Sequence, residues 1–232
     1  NKVITQPYRD LEIKSKATNW SIGINHPIIN AATPESRFKF SVGFSYEGRK
    51  TQESLLGFNF PISAGSDNDG RRNINTFTLS QNIEYKGKNQ AFNLDSNIDI
   101  GVDINTKTGP GFANNQAISY RLNHEYVRKI ARNTFFIANG GLQFSLSPLV
   151  IDRQFSLGGV GSVRGIQQGE VTSDNGVYEQ ISFKKQFELG KYNVFSVAPF
   201  FDIGYGWNTR NENGSKLLYS SGLAFEYLFR DN

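Results

Sequence analysis

Apolar and polar residues alternate with period two along almost the whole chain, the spacing of strands with one apolar and one wet face. From Phe92 to Ile104 the separation is nearly complete. Phe92, Leu94, Ile98, Ile100, Val102 and Ile104 share one side, and Asn93, Asp95, Asn97, Asp99, Gly101 and Asp103 the other. Phe38, Phe40, Val42, Phe44 and Tyr46 alternate with Lys39, Ser41, Gly43, Ser45 and Glu47 in the same way. So do Phe136, Ala138, Leu142, Phe144 and Leu146 with Asn139, Gly141, Gln143 and Ser145. The pattern predicts strands at 19–29, 37–48, 74–86, 90–104, 116–130, 133–147, 177–188, 193–208 and 216–229. They are long for a globular sheet, where about 5–6 residues is usual.

The connections alternate in length. Short turns at 85–89, 130–133 and 188–192 separate longer loops at 49–73, 105–115, 148–176 and 209–215. Outer-membrane barrels have short periplasmic turns and long external loops, and strands tilted by about 45° that cross a thin hydrocarbon layer in about ten residues. Tyr46, Tyr85, Tyr126, Tyr205 and Trp207 fall near strand ends, where aromatic girdles belong. Alternation by itself also fits a soluble β-sandwich. Strand length, loop asymmetry and aromatic placement select an all-β, antiparallel transmembrane barrel in an outer membrane, either bacterial or that of an organelle envelope of bacterial origin.

Composition narrows the functions. The mean hydropathy is −0.45, and no apolar run is long enough for a spanning helix. With no cysteine, there is neither a disulfide framework nor a thiolate nucleophile or metal site. The net charge of +4 comes from scattered Lys and Arg, which argues against nucleic acid as a partner. His26 and His124, the only histidines, lie near no nucleophile motif, so neither catalysis nor a cofactor is expected. Asp95, Asp99 and Asp103 stand four residues apart on one strand face, about 13 Å per step, too far to share a metal ion. They read as a wet pore wall.

One segment breaks the strand pattern: FSLGGVGSVRGIQQGEVTSDNG, residues 155–176, rich in glycine with Arg164 at its centre. On the residues alone it is an ordinary surface loop with a solvated arginine. Together with DNGVYEQ and APFFDIGYGW further on, however, it resembles the C-terminal barrel of the two-partner secretion transporters, the TpsB family of haemolysin and haemagglutinin exporters. These belong to the superfamily that includes the central barrel of the outer-membrane assembly machine. WSIGINHPI resembles the family's strand ending in a periplasmic Pro turn, and QFSLSPLVIDRQFSLGG its approach to the signature loop.

The resemblance implies that loop 148–176 folds into the lumen, with Val163, Arg164, Gly165 and Ile166 at its tip and Arg164 against a wall carboxylate. Parity supplies that carboxylate independently. Along 194–207, Asp202 lies on the face opposite Phe195, Val197, Phe201, Ile203, Tyr205 and Trp207, beside Gly204 and Gly206, which leave room for a loop. Glu179 is the second choice. It shares parity with Val177, Ile181 and Phe183, so either a bulge turns it inward or it sits outward at the rim. Gly158, Gly159, Gly161 and Gly165 would allow tight turns and close approach to the wall. Ile166 departs from the family, which carries an aromatic there, so the packing that pins the tip would be weaker.

Nine predicted strands cannot be a whole bacterial barrel, which has an even number. The expectation is that residues 1–232 are the C-terminal part of a monomeric, lipid-embedded barrel of about 16 strands, incomplete at both ends. Periplasmic POTRA domains would lie upstream. The implied function is export of a secreted partner protein without ATP through a pore gated by the lumenal loop. The alternatives are an insertion or assembly barrel of the same superfamily and a passive porin-like channel.

Overall fold

The structure is a computed structural model that describes residues 12–63, 66–102, 116–190, 193–210 and 215–229. Nine long strands form an antiparallel meander: β1 Lys14–Ala32, β2 Ser36–Leu55, β4 Arg71–Gly87, β5 Gln90–Val102, β6 Ile118–Ala131, β7 Thr134–Ser145, β10 Asn175–Leu189, β11 Asn193–Trp207 and β12 Lys216–Leu228. The short β3, Phe58–Asn59, pairs with the end of β2, and β8, Phe155–Leu157, pairs with β9, Val171–Ser173, in a separate hairpin. Each long strand hydrogen-bonds to the next, so the wall is one curved strip with β1 and β12 at its edges. Asp103 and Ile104, with loop 105–115, fall outside the described residues.

The two faces differ as the alternation requires. Ile24, Phe44, Ile100, Phe144, Phe183, Phe201 and Phe225 lie on the outward face and are exposed. In water such a surface would be a severe liability; in a bilayer it is the contact with acyl chains. Trp20, Tyr46 and Phe77 pack together across three strands, with ring centroids 5.1 Å apart for the first pair and 4.6 Å for the second. The inward face is polar and cross-linked. Asn82 donates to Asn93 and Asp95, and Asp99 accepts from Thr78 and Arg121 at 2.7 Å each. The buried apolar cluster, Leu157, Val163, Val171 and Leu218, forms where the lumenal loop meets the wall, with Phe155, Ile166 and Tyr178 against it.

Two sequence expectations change. Strand β2 runs seven residues past the predicted 48 and β4 begins at Arg71, so the outer connection shrinks from 49–73 to 56–70. Arg49–Ser54 are polar on both faces and show no apolar alternation. The ladder nonetheless continues from Lys50↔Asn73 to Gln52↔Arg71, because backbone pairing does not need an apolar face. Pro27 does not end its strand in a turn. It sits at a bulge where the register shifts between Pro27 and Ile29, and β1 continues to Ala32. A residue without an N–H is accommodated by such a bulge.

Candidate functional site: a loop latched inside the barrel

The chain leaves β7, makes one 3₁₀ turn at Ile151–Arg153, passes through the β8–β9 hairpin and enters β10 at Asn175. The whole excursion lies against the inward face, as its contacts with the wall show. Asp202 sits in the middle of β11 on the inward parity, fully buried at 0% exposure. Arg164 approaches it from the loop tip. Its Nε donates to one carboxylate oxygen at 2.8 Å, its Nη2 to the other at 2.5 Å, and its own backbone N–H to the first at 2.9 Å. Three donors from one residue thus meet one carboxylate, a charge-assisted fork that holds orientation as well as charge. The guanidinium also lies over the ring of Phe200, 3.9 Å from its centroid. Phe200 shares Asp202's face, so the arginine is clamped between an acid and an aromatic of one strand.

The backbone around Arg164 explains the glycines. Gly158, Gly159 and Gly165 have φ of +102°, +91° and +79°, where a Cβ is strained. The carbonyl of Gln167 additionally occupies the place of a Cβ on Gly158. Gly161 has neither constraint, and its side faces open space. Gly204, next to Asp202 on the inward face, allows close approach: a Cβ there would lie 3.0 Å from Leu157 Cδ2 and 3.1 Å from Val163 Cγ2. The tip is held further by Gln180 of β10, whose amide donates to the Val160 carbonyl at 3.1 Å. Ile166, where an aromatic was expected, packs on the apolar cluster.

Glu179 faces the other side of the wall from this site. No bulge interrupts β10 between Gly176 and Ser182, so Glu179 keeps the outward parity of Val177 and Ile181. It meets His124 of β6 at 2.9 Å, across the intervening β7. Gly140 stands between them in register with both residues, and any side chain there would enter the space the two side chains use.

Sequence reasoning missed a second set of anchors. Asp174, at the entry to β10, accepts from the Leu149 N–H at 2.7 Å and the Thr209 N–H at 3.1 Å, tying the two ends of the loop to each other and to the chain just past the end of β11. At the other wall Asp152 binds Arg72 of β4 and Arg49 of β2, with Arg49 Nη2 at 3.1 Å. The only available signal was the inward parity of Arg72. That signal is weak because Arg71–Asn73 carry no apolar partner face and resemble a loop.

An antiparallel transmembrane barrel wall with a long loop latched in its lumen defines the class: outer-membrane barrel transporters. The chain belongs to the haemolysin secretion/activation protein family ShlB/FhaC/HecB, whose family model matches residues 37–227. It is therefore an outer-membrane protein of a transporter family, not of an enzyme family. It is 29% identical over 116 residues to the heme/hemopexin transporter protein HuxB of Haemophilus influenzae (strain 86-028NP), which covers 46% of this chain and 20% of that protein. Its fold is similar to CdiB from Escherichia coli, with a TM-score of 0.78 and 17% identity over 94% of this chain and 40% of that one. For CdiB from Acinetobacter baumannii the TM-score is 0.72, again with 17% identity, over 95% of this chain and 37% of that one. The chain thus spans about a fifth of the curated relative and about two fifths of the solved structures.

Proposed function

We propose that this chain is the C-terminal part of the barrel of an outer-membrane translocation pore. The pore exports one partner protein without ATP, and the Arg164 loop gates it. The observation that carries the reading is the fully buried Asp202 receiving a three-donor clasp from Arg164. A carboxylate and a guanidinium in a partly dry lumen each need the other, and removing one leaves a buried charge at a cost of about 3–5 kcal/mol. A loop held this firmly closes the pore to small solutes and keeps its tip in the one position from which an arriving partner engages and displaces it, which suits a secretion channel better than a steadily conducting porin. Membership of a secretion family supports a polypeptide as cargo. In the full-length protein periplasmic POTRA domains would present the unfolded partner, and its folding outside would supply the direction of transport.

The test is export into liposomes. The full-length protein, reconstituted with its secreted partner supplied unfolded on one side, is expected to deliver protease-protected partner in the absence of any nucleotide. A strict requirement for ATP, or passage of small solutes with no partner transport, would contradict the reading.

A further inference from the structure

Arg72 lies at the outer end of β4, pointing inward, with its side chain 2% exposed. Its Nε and Nη2 both donate to Asp152 Oδ2, at 2.8 and 2.5 Å. Its Nη1 donates to Glu53 Oε1 at 3.3 Å and to the Ser66 hydroxyl at 3.2 Å. One buried guanidinium is therefore shared between two loops that are far apart in sequence. Asp152 belongs to the start of the lumenal loop. Ser66 belongs to the outer connection 56–70, and Glu53 is the residue on which that connection hangs. The other oxygen of Glu53, Oε2, accepts from the N–H groups of Ile62 at 3.0 Å and Ser63 at 2.9 Å and from the Ser66 hydroxyl at 3.0 Å.

The placement matters as much as the bonds. In the wall order β4, β5, β6, β7, β10, β11, four strands separate the one carrying Arg72 from the one carrying Asp202. The lumenal loop is thus pinned to two walls: at Asp152 to β4, and twelve residues later at Arg164 to β11. Releasing Arg164 alone would leave the loop tethered across the lumen. The first tether cannot open without exposing Arg72 to the loss of its main acceptor, and Arg72 also organises the outer connection. A buried arginine that loses one carboxylate pulls on the other, because an unpaired charge is costly in a dry site.

We propose that Arg72 is a positioning residue that couples the outer connection 56–70 to the lumenal loop, so that displacement of either loosens the other. In the export reading proposed above, on which the regulatory meaning of this coupling rests, a partner emerging at the surface and engaging residues 58–63 or 66–70 would weaken the Asp152 tether. The loop would then depend chiefly on the Arg164 clasp, with Arg49 on Asp152 and Gln180 on the Val160 carbonyl as its smaller holds.

The coupling is reciprocal, and that makes it measurable without transport. Amide exchange is followed in the full-length protein in lipid nanodiscs, with heat-modifiable gel mobility as the check that each variant is folded. Asp152→Asn cuts the lumenal side and should speed exchange at residues 58–63 and 66–70. Glu53→Gln cuts the outer side and should speed exchange at 151–166. Each remote effect is expected to be about 5- to 150-fold, the usual range of coupling between sites. Arg72→Lys should give intermediate values in both segments, since an ammonium cannot engage both carboxylates with a fork. If Glu53→Gln does not fold, Ser66→Ala removes one bond to each partner from a half-buried position without touching either charge, and should give the same remote effect in smaller degree. Acceleration confined to the mutated segment in both variants would overturn the proposal. The two readings fail separately. Local-only exchange alongside partner transport by the wild-type protein and lost secretion in Arg164→Ala would sink the coupling alone, and reciprocal exchange in a wild-type protein that passes small solutes but transports no partner would sink the export reading alone.

Discussion

Asp202 and Glu179 lie one register step apart on neighbouring strands and face opposite sides of the wall: Gln180 pairs with Asp202, Glu179 with Ile203. One carboxylate holds the lumenal loop and the other meets His124 on the outward face. Proximity in the sheet therefore does not make them alternatives, because a step of one residue along a strand reverses the side chain. Glu179→Ala is expected to leave partner secretion near the wild-type level, whereas Asp202→Ala abolishes it. A secretion assay in whole cells checks the pair, and loss of secretion in both variants would show that the outward pair matters to the lumen.

Gly204 sets how closely the loop can approach. Adding one methyl there requires Leu157 and Val163 to give way by a few tenths of an ångström, and adding a branched side chain requires much more. Gly204→Ala should be tolerated. Gly204→Val should push the loop off the wall at a cost of about 1–3 kcal/mol, seen as increased open probability of single channels in planar bilayers. Unchanged gating in Gly204→Val would mean that the loop does not depend on this contact.

Labels placed one residue apart on β5 should report different media. A nitroxide at Asn97 should be reached by a water-soluble relaxing agent, and labels at Ile98 and Ile100 by oxygen dissolved in lipid, as a barrel wall requires. On whole cells, a cysteine at Asp69 in the outer connection should react with an impermeant reagent, and one at Lys88 in a short turn should not. Equal labelling at Asp69 and Lys88 would contradict the orientation.

The outer connection should loosen in acid. Beyond Tyr46 the outward positions of β2 are Gly48, Lys50, Gln52 and Ser54, so Glu53 stands above the apolar belt. Burial pushes its pKa up, but hydrogen bonds from Ser63, Ile62 and Ser66 outweigh this and bring it below the ordinary 4.5. A depressed carboxylate contributes stability that is present above the unfolded pKa and is lost as pH falls through the folded one. A nitroxide at Asn68 should therefore stay constrained down to the ordinary glutamate range and gain mobility only below it. In Glu53→Gln it should be more mobile throughout, with no such transition.

The fold was legible wherever an apolar face met lipid. Nine long strands and their order could be read from residues such as Phe38–Tyr46 and Phe92–Ile100, because the bilayer enforces alternation. Asp202 was legible for the same reason: the parity of β11 puts it on the face opposite Phe201, Ile203 and Tyr205. The outer ends of β2 and β4 were not, since Arg49–Ser54 are polar on both faces and look like loop. Arg72 was hidden with them, and so was its link to Asp152, which depends on how a loop folds back across the lumen and leaves no period in the sequence. The parity of Glu179 left two placements open, inward at a bulge or outward at the rim, and its partner was not legible, because the contact with His124 passes over Gly140 on a third strand.

Arg164 and Asp202 are expected to act as one latch holding the loop in the lumen. The measurement that tests it most directly is a double-mutant cycle with Arg164→Ala and Asp202→Ala, read by amide exchange of residues 156–166 in the membrane-embedded protein and by partner secretion. Each single change should free the loop and depress secretion strongly while the barrel stays inserted, since the strand ladder holds without the loop. The double change should be little worse than either alone, with a coupling of about 0.5–3 kcal/mol, and Arg164→Lys should recover only part of the protection. Strict additivity of the two changes, with loop protection in the double variant falling by the sum of the separate losses, would contradict the account.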